Sequence, residues 1–236
     1  MANAINYRIL IDGTTAEQPN LKVFNKQSEL VRQIVLSDFD REFPDWTLSE
    51  EFFEDAHFLI PALDIQYFPL HIFEESDLEN YGRFVLDDGV TLLKYTEFPS
   101  LGVVAIYREN LQLLGDLPSR FPMAKRHVLS AVVLQRTVEL NGSGDSALYI
   151  VYAGQTFTMT VFNQGQFIYQ RDFHCGNEDE FNYHLINVLG MSDQHASNLR
   201  IVLSGQFEAD DTYVKRIEKY GKNIEITDLN LYSAIL

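Results

Sequence analysis

The clearest alternation of apolar and polar positions lies between residues 147 and 173. Residues 147–153 (ALYIVYA) form an apolar run of the length of a buried strand. In residues 156–162, Phe157, Met159 and Val161 alternate with Thr156, Thr158 and Thr160. That period of two predicts a strand with one apolar face and one hydroxyl face. Asn163-Gln164-Gly165 reads as a hairpin turn, and residues 166–173 (QFIYQRDF) as the returning strand. The period then changes. Asn177 stands three residues before Glu180, the spacing of a capping box, and Phe181, Leu185, Val188 and Leu189 stripe one face of the helix that follows. Residues 199–203 (LRIVL) predict a short buried strand. Asp210 or Asp211 opens a second helix, which runs to Tyr220 and ends at Gly221. Residues 223–227 (NIEIT) supply a last strand. The order is β-β-β-α-β-α-β, an antiparallel meander extended by parallel strands through helical crossovers.

The first half is less regular. Residues 7–11 (YRILI) predict a strand. Leu30, Val31, Ile34, Val35, Phe39 and Phe43 have helical spacing and predict an amphipathic helix ending before Pro44. Residues 56–60, 65–68, 82–86, 90–95 and 103–107 read as strands, and Pro61 and Pro69 restrict that region to edge or irregular pairing. Residues 111–117 suggest a short helix. Residues 128–134 (VLSAVVL) are β-branched, but the longer pattern through Arg136 predicts a buried helix. Gly142-Ser143-Gly144 is the strongest punctuation and divides the chain into residues 1–141 and 145–236. The two parts echo each other faintly. Residues 9–15 (ILIDGTT) align with 150–156 (IVYAGQT), and residues 103–107 are a candidate match to 201–205.

Composition narrows the function classes. The 236 residues suit one large domain or two smaller ones, and 46% hydrophobic with 13% aromatic residues is enough for a real core. No apolar run approaches the ~18 residues of a membrane span. The first ten residues do not read as a signal peptide. The single cysteine, Cys175, allows no internal disulfide and fits a reducing cytoplasm. The net charge is −16; residues 1–118 carry 8 basic and 21 acidic side chains (−13), and residues 119–236 carry 10 and 13 (−3). So acidic a surface repels phosphate backbones and anionic lipid, which leaves proteins as the expected partners.

Candidate chemistry is sparse. The strand at 147–153 has no carboxylate, which argues against a two-metal nuclease. The histidines at 57, 71, 127, 174, 184 and 195 show no HExxH spacing and no local pairing with cysteine, so no metal site is expected. Cys175 precedes a helix N-terminus but lacks a nucleophile motif and reads as inert. Asp38-Phe39-Asp40 lacks the glycine and closing glutamate of a calcium loop, and Glu178-Asp179-Glu180 suits a helix N-terminus. Leu203-Ser204-Gly205 is not a nucleophile elbow.

The β-β-β-α-β-α-β order, two halves of similar size, and a strand–Gly–Thr–strand opening in each resemble the duplicated ribonuclease-H-like, actin-like ATPase fold. That is an α/β class with α+β mixed sheets and two subdomains. More narrowly, Phe84-Val85-Leu86-Asp87-Asp88, residues 67–73 (YFPLHIF), the strands and hairpin of 147–173, and residues 203–207 (LSGQF) resemble an uncharacterised bacterial domain-of-unknown-function family with a degenerate version of that fold. The resemblance covers most of the chain after residue 56. It implies a fold and no established activity.

Active members of the broader fold carry Asp-x-Gly-Thr/Ser turns in both halves and a Gly-Gly pair after a late strand. The aspartates orient Mg²⁺-bound water, and the turn amides hold phosphates. Here Tyr152 stands two residues before Gly154, and Ile11 two before Gly13. Asp12 adjoins Gly13, and a one-residue offset on a strand aims its carboxylate away from the cleft unless the turn is remodelled. An ordinary Asp-Gly hairpin turn accounts for the same residues. Leu203-Ser204-Gly205-Gln206 keeps one glycine of the late pair. The expectation is a pseudo-ATPase with no catalytic residues, no metal ligands and no cofactor, acting as an interaction or regulatory module. The alternative is an ATP- and Mg²⁺-dependent ATPase or sugar-kinase-like phosphotransferase with shifted motifs. Its cofactor-binding residues would be Asp12, Gly13, Thr14, Gly154, Thr156, Ser204 and Gly205.

Overall fold

The computed structural model describes residues 7–14, 19–38, 41, 53–87, 91–109, 117–142, 144–153, 156–191, 199–208 and 211–236. The second half follows its period. Strands β9 (Ala147–Ala153), β10 (Thr156–Asn163) and β11 (Gln166–His174) form an antiparallel meander. The β10–β11 turn places Gln164 and Gly165 at φ 50° and 79°, the left-handed pair that a two-residue hairpin requires. Helix α4 (Glu178–Leu189) returns the chain to β12 (Arg200–Gly205), which joins β9 in parallel; helix α5 (Thr212–Ile217) leads to β13 (Asn223–Ile226), parallel to β12. The sheet order is β11-β10-β9-β12-β13.

Local chemistry fixes the helix starts. The Asn177 side chain accepts from the amides of Asp179 and Glu180, while Glu180 accepts from the Gly176 amide at 2.8 Å. Asp211 caps α5 by accepting from the Tyr213 amide at 2.9 Å. Phe181, Leu185 and Val188 of α4 bury against Leu148, Ile150, Phe157, Met159 and Val161.

The first half repeats this order. Strands β1 (Tyr7–Asp12), β2 (Asn20–Phe24) and β3 (Leu30–Val35) are antiparallel; β4 (Phe53–Ile60) lies parallel to β1, and β8 (Lys125–Val128) parallel to β4. The sheet reads β3-β2-β1-β4-β8, the counterpart of the second sheet. Between β4 and β8 the chain inserts a three-stranded sheet, β5-β7-β6, made from β5 (Ala62–Pro69), β6 (Leu92–Phe98) and β7 (Val103–Glu109). Short helices α1 (Leu78–Tyr81) and α2 (Leu117–Arg120) belong to the same insertion. Pro61 and Pro69 bracket β5, which is an edge strand with a register shift between Ala62 and Ile65. Helix α3 (Leu129–Leu140) is buried along Leu129–Leu134 and links the two sheets.

Three expectations are corrected. Residues 30–35 form an edge strand rather than the start of a helix, because pairing with β2 decides between two periods that four apolar residues cannot separate; Phe39 and Phe43 lie outside the described residues. Residues 82–84 form a 3-10 turn rather than a strand, with Gly82 packed against Leu93. Residues 103–107 are not the counterpart of 201–205: they sit in the inserted sheet as β7, and β4 occupies the place that β12 holds in the second half. The strands β2 and β8 carry too short a pattern to be read alone. The short helix expected at 111–117 lies, apart from Leu117, outside the described residues.

The hydroxyl face of β10 is also buried. Thr158 and Thr160 are almost fully covered, because that face of the second sheet packs on α3 and β5. Thr158 donates to Asp172 at 2.7 Å, and Ser130 of α3 donates to the other oxygen of Asp172. Gln170 donates to Thr160 at 2.9 Å and accepts from Tyr67 of β5. Burial raises the Asp172 pKa, the Ser130 and Thr158 hydroxyls oppose the rise, and nearby Asp64 adds to it.

Candidate functional site between the two sheets

A cavity of about 220 Å³ opens where the C-terminal ends of β1, β9 and β12 converge. Its wall includes Asp12, Thr14, Lys22, Val151, Ala153, Ser204, Gly205, Asp228 and Tyr232. The alternation of β1 and β2 builds the polar corner. Lys22 is the direct partner of Leu10 across the antiparallel pair, and Asp12, two residues along, shares its face. Lys22 Nζ donates to Asp12 Oδ2 at 2.9 Å. Both are nearly removed from solvent, at 7% and 3% exposure.

Residues 227–236 complete this corner from the far end of the chain. Tyr232 lies in a short 3-10 turn, Leu231–Ala234. Its hydroxyl accepts from Lys22 Nζ and donates to Asp12 Oδ2 at 3.2 Å. The Lys22 ammonium also lies 4.1 Å from the centre of the Tyr232 ring, a cation–π contact. The other Asp12 oxygen accepts from the Thr14 hydroxyl at 2.6 Å and the Thr14 amide at 3.1 Å. Burial works to lower the Lys22 pKa, but the Asp12 carboxylate and the Tyr232 hydroxyl outweigh it and raise it. Burial and the Asp12 charge raise the Tyr232 pKa. Among the described residues, the second carboxylate on the wall is Asp228, which is exposed and accepts from the Asn230 amide at 2.7 Å.

The structure corrects the expected aim of Asp12. Its carboxylate faces the cavity, and the tight Asp12-Gly13 hairpin is not formed: β1 ends at Asp12 and β2 begins at Asn20. The same offset holds in the second half. Val151 and Ala153 face the first half, while the Tyr152 ring stacks on Phe157 at 4.2 Å and sits within 6 Å of Phe207 and Tyr213. In both halves, then, the side chain just before the glycine reaches the cavity: Asp12 in one, Ala153 in the other. Of the residues two before it, Ile11 is buried in the core shared by the two halves, and Tyr152, which borders the cavity, packs its ring into the second half's core.

Of the residues singled out for a nucleotide, Asp12, Thr14, Ser204 and Gly205 line this one cavity. Gly13 flanks it and donates its amide to Leu59 O at 2.8 Å. Thr156 instead opens β10, paired with Ala153 and His174. Gly154 lies outside the described residues. Ser204 Oγ accepts from the Leu229 amide at 3.1 Å. Gly205 has a structural reason to be glycine: φ is +97°, and a Cβ there would lie 2.1 Å from Tyr152 O. Lys22 and Tyr232 were not singled out from the sequence. Lys22 left a signal, a lone cation within the apolar run of the NLKVF strand after Asn20; Tyr232 left none.

The strands also bring together two histidines that are 70 residues apart in sequence. His57 Nδ1 lies 2.9 Å from His127 Nε2, on β4 and β8. His57 Nε2 lies 3.1 Å from Asp55, which also pairs with Lys125 at 2.8 Å. Burial lowers both imidazole pKa values, and the His57 neighbour helps bring that of His127 to about 4. Among the described residues, no group of three histidine, cysteine or acidic side chains is placed to hold a metal ion.

Two mixed sheets of matching order, each opening with a meander and facing each other across this cavity, define the actin-like ATPase fold. Solved structures agree. A Bacteroides thetaiotaomicron protein with actin-like ATPase fold and unknown function superposes with a TM-score of 0.79 at 15% identity, covering 98% of this chain and 96% of the other. A PilM-PilN type IV pilus biogenesis complex matches at 0.58 and 11% identity, over 98% and 89%. The cytoplasmic domain of EpsL, an inner membrane component of the type II secretion system of Vibrio cholerae, matches at 0.50 and 10% identity, over 97% and 93%. No curated protein matches the sequence. Residues 15–224 match the family described as "Protein of unknown function (DUF3822)", and the chain belongs to that family.

Proposed function

We propose that this protein is a catalytically inactive member of the actin-like ATPase fold, a pseudo-ATPase that works in the cytoplasm as a protein-interaction or regulatory module. The observation that carries this reading is the closure of Asp12. Its two oxygens are taken by Thr14, Lys22 and Tyr232, so a divalent cation would have to displace an ammonium and a phenol from a buried carboxylate. The wall from β9 offers Val151 and Ala153 rather than a facing carboxylate, and the other wall carboxylate, Asp228, is exposed and accepts from the Asn230 amide. The cavity, about 220 Å³, is smaller than the roughly 300–1,000 Å³ of small-molecule sites. An interaction role draws support from the occurrence of the same fold in a type IV pilus biogenesis complex. No helix among the described residues is long and apolar enough to cross a membrane, and the one cysteine is buried and unpaired, which suits a reducing compartment.

The rival reading is an ATP- and Mg²⁺-dependent phosphotransferase, favoured by the fact that Asp12 and Lys22 do reach a cavity between the halves. Isothermal titration and thermal shift with Mg-ATP separate the two. A true nucleotide site raises Tm by mass action. The expected result is no heat and no shift. Tight binding with turnover that Asp12→Asn abolishes would overturn the proposal.

A further inference from the structure

Residues 227–236 leave the edge of the second sheet and cross to the first. Thr227 still donates its amide to Leu203 O at 2.9 Å. Beyond it, the backbone-to-backbone bonds of residues 228–236, among the described residues, are local: Ser233 to Asn230, and Ile235 and Leu236 to Tyr232. Side chains on other elements tie the segment down. Ser204 Oγ accepts from the Leu229 amide at 3.1 Å, Arg136 Nε donates to Leu229 O at 2.8 Å, and Arg8 Nη1 donates to Leu236 O at 2.5 Å. Leu229 and Ile235 are buried, and the Tyr232 ring lies 6.0 Å from Phe24. A segment held by side chains and one apolar face, with no ladder to break, is the kind that opens sub-globally while the sheets stay formed.

The corner it fills selects for one side chain. Besides pairing with each other, Lys22 donates to the phenol oxygen and lies against the ring, and Asp12 Oδ2 accepts from the phenol hydroxyl. A phenol supplies all three; serine lacks the ring, and phenylalanine lacks both the donor and the acceptor. We infer that residues 228–236 are a displaceable strap, and that the corner it covers is a docking site for a short turn-forming segment presenting an apolar residue followed by tyrosine. Here Leu231-Tyr232 supplies that pair in cis, in a 3-10 turn that forms part of the cavity wall. A partner protein's segment of the same chemistry enters by displacing the strap. This rests on the reading of the cavity as non-catalytic.

Two measurements test it on the full chain. Native-state hydrogen exchange reads strap opening in the unmodified protein. The amides of Ser233, Ile235 and Leu236 are expected to exchange at least tenfold faster than those of β10. Exchange of the strap only together with the slowest core amides would overturn the proposal. The second uses a labelled peptide of residues 227–236 and the Tyr232→Ala chain, checked for folding by circular dichroism. Fluorescence anisotropy should show saturable binding, weakened roughly ten- to a hundredfold when the peptide's tyrosine is replaced by phenylalanine. Equal binding of the two peptides, or none to a folded Tyr232→Ala chain, would overturn the docking site. If that variant does not fold, the exchange experiment decides. Mg-ATP is absent from both measurements, so failure here is distinct from failure of the pseudo-ATPase reading.

Discussion

Lys22→Met is the sharpest perturbation of the cavity. It keeps most of the unbranched side chain and removes the charge that faces Asp12 at 2.9 Å. Removing one member of a buried ion pair costs about 3–5 kcal/mol, because the remaining charge stays buried without its counterion. Thr14 and Tyr232 still donate to Asp12, so the low end applies, about 3 kcal/mol. For a chain of this size that is a fall in Tm of roughly 6–12 °C. In the double variant, Asp12→Asn with Lys22→Met, no charge is left behind, and stability should return to within about 1 kcal/mol of the parent. Thermal and urea denaturation of the parent, both single variants and the double variant measures the coupling. The alkaline limb supplies a second readout. The Lys22 pKa is raised from 10.5, so its contribution is complete below 10.5 and is lost as pH rises through the higher folded-state value. The gap between parent and Lys22→Met should therefore narrow above pH 10.5. Additive losses in the double variant, or a single variant as stable as the parent, would refute the coupled buried pair.

Three further outcomes follow from other sites. The His57 and His127 pKa values are lowered from 6.5, to about 4 for His127, so the unfolded chain takes up protons first as pH falls. Stability should decline from pH 6.5 toward pH 4, and His127→Gln should flatten that slope in urea midpoints. Gly205→Ala meets Tyr152 O at 2.1 Å with φ at +97°, and should cost more than the ~1 kcal/mol of Gly102→Ala, where φ is +66° and nothing lies within 4 Å. Parallel melts without any nucleotide compare the two. Burial pushes the Cys175 thiol up to about 11, so iodoacetamide at pH 8 should leave it unmodified in the folded protein and alkylate it in urea.

The second half was legible because each signal in it is local. The Phe157–Met159–Val161 alternation, the Gln164-Gly165 turn and the Asn177 cap are settled within a few residues, and each formed as expected. The first half was less so. Leu30, Val31, Ile34 and Val35 suit a helix or a strand equally, and the hairpin with β2 decides between them. The short strand β8 exists only because β4 lies beside it. The aim of Asp12 was misjudged for a related reason. Alternation says which side chains share a face, but which face looks onto the other half depends on how the two sheets dock.

By itself the amino-acid order determined the β-β-β-α-β-α-β series, the Gln164-Gly165 turn, the Asn177 and Asp211 caps, and the missing acid at Tyr152. These depend on sterics and hydrogen bonds that span a few residues. Only the tertiary structure decided what occupies the cavity. Asp12 and Lys22 meet across the β1–β2 pair, but Tyr232 lies far along the chain, and it reaches them only through a side-chain-anchored crossing of residues 227–236 that carries no periodic pattern. Such contacts are set by which surfaces remain uncovered once both sheets have formed, a quantity that no stretch of sequence encodes alone.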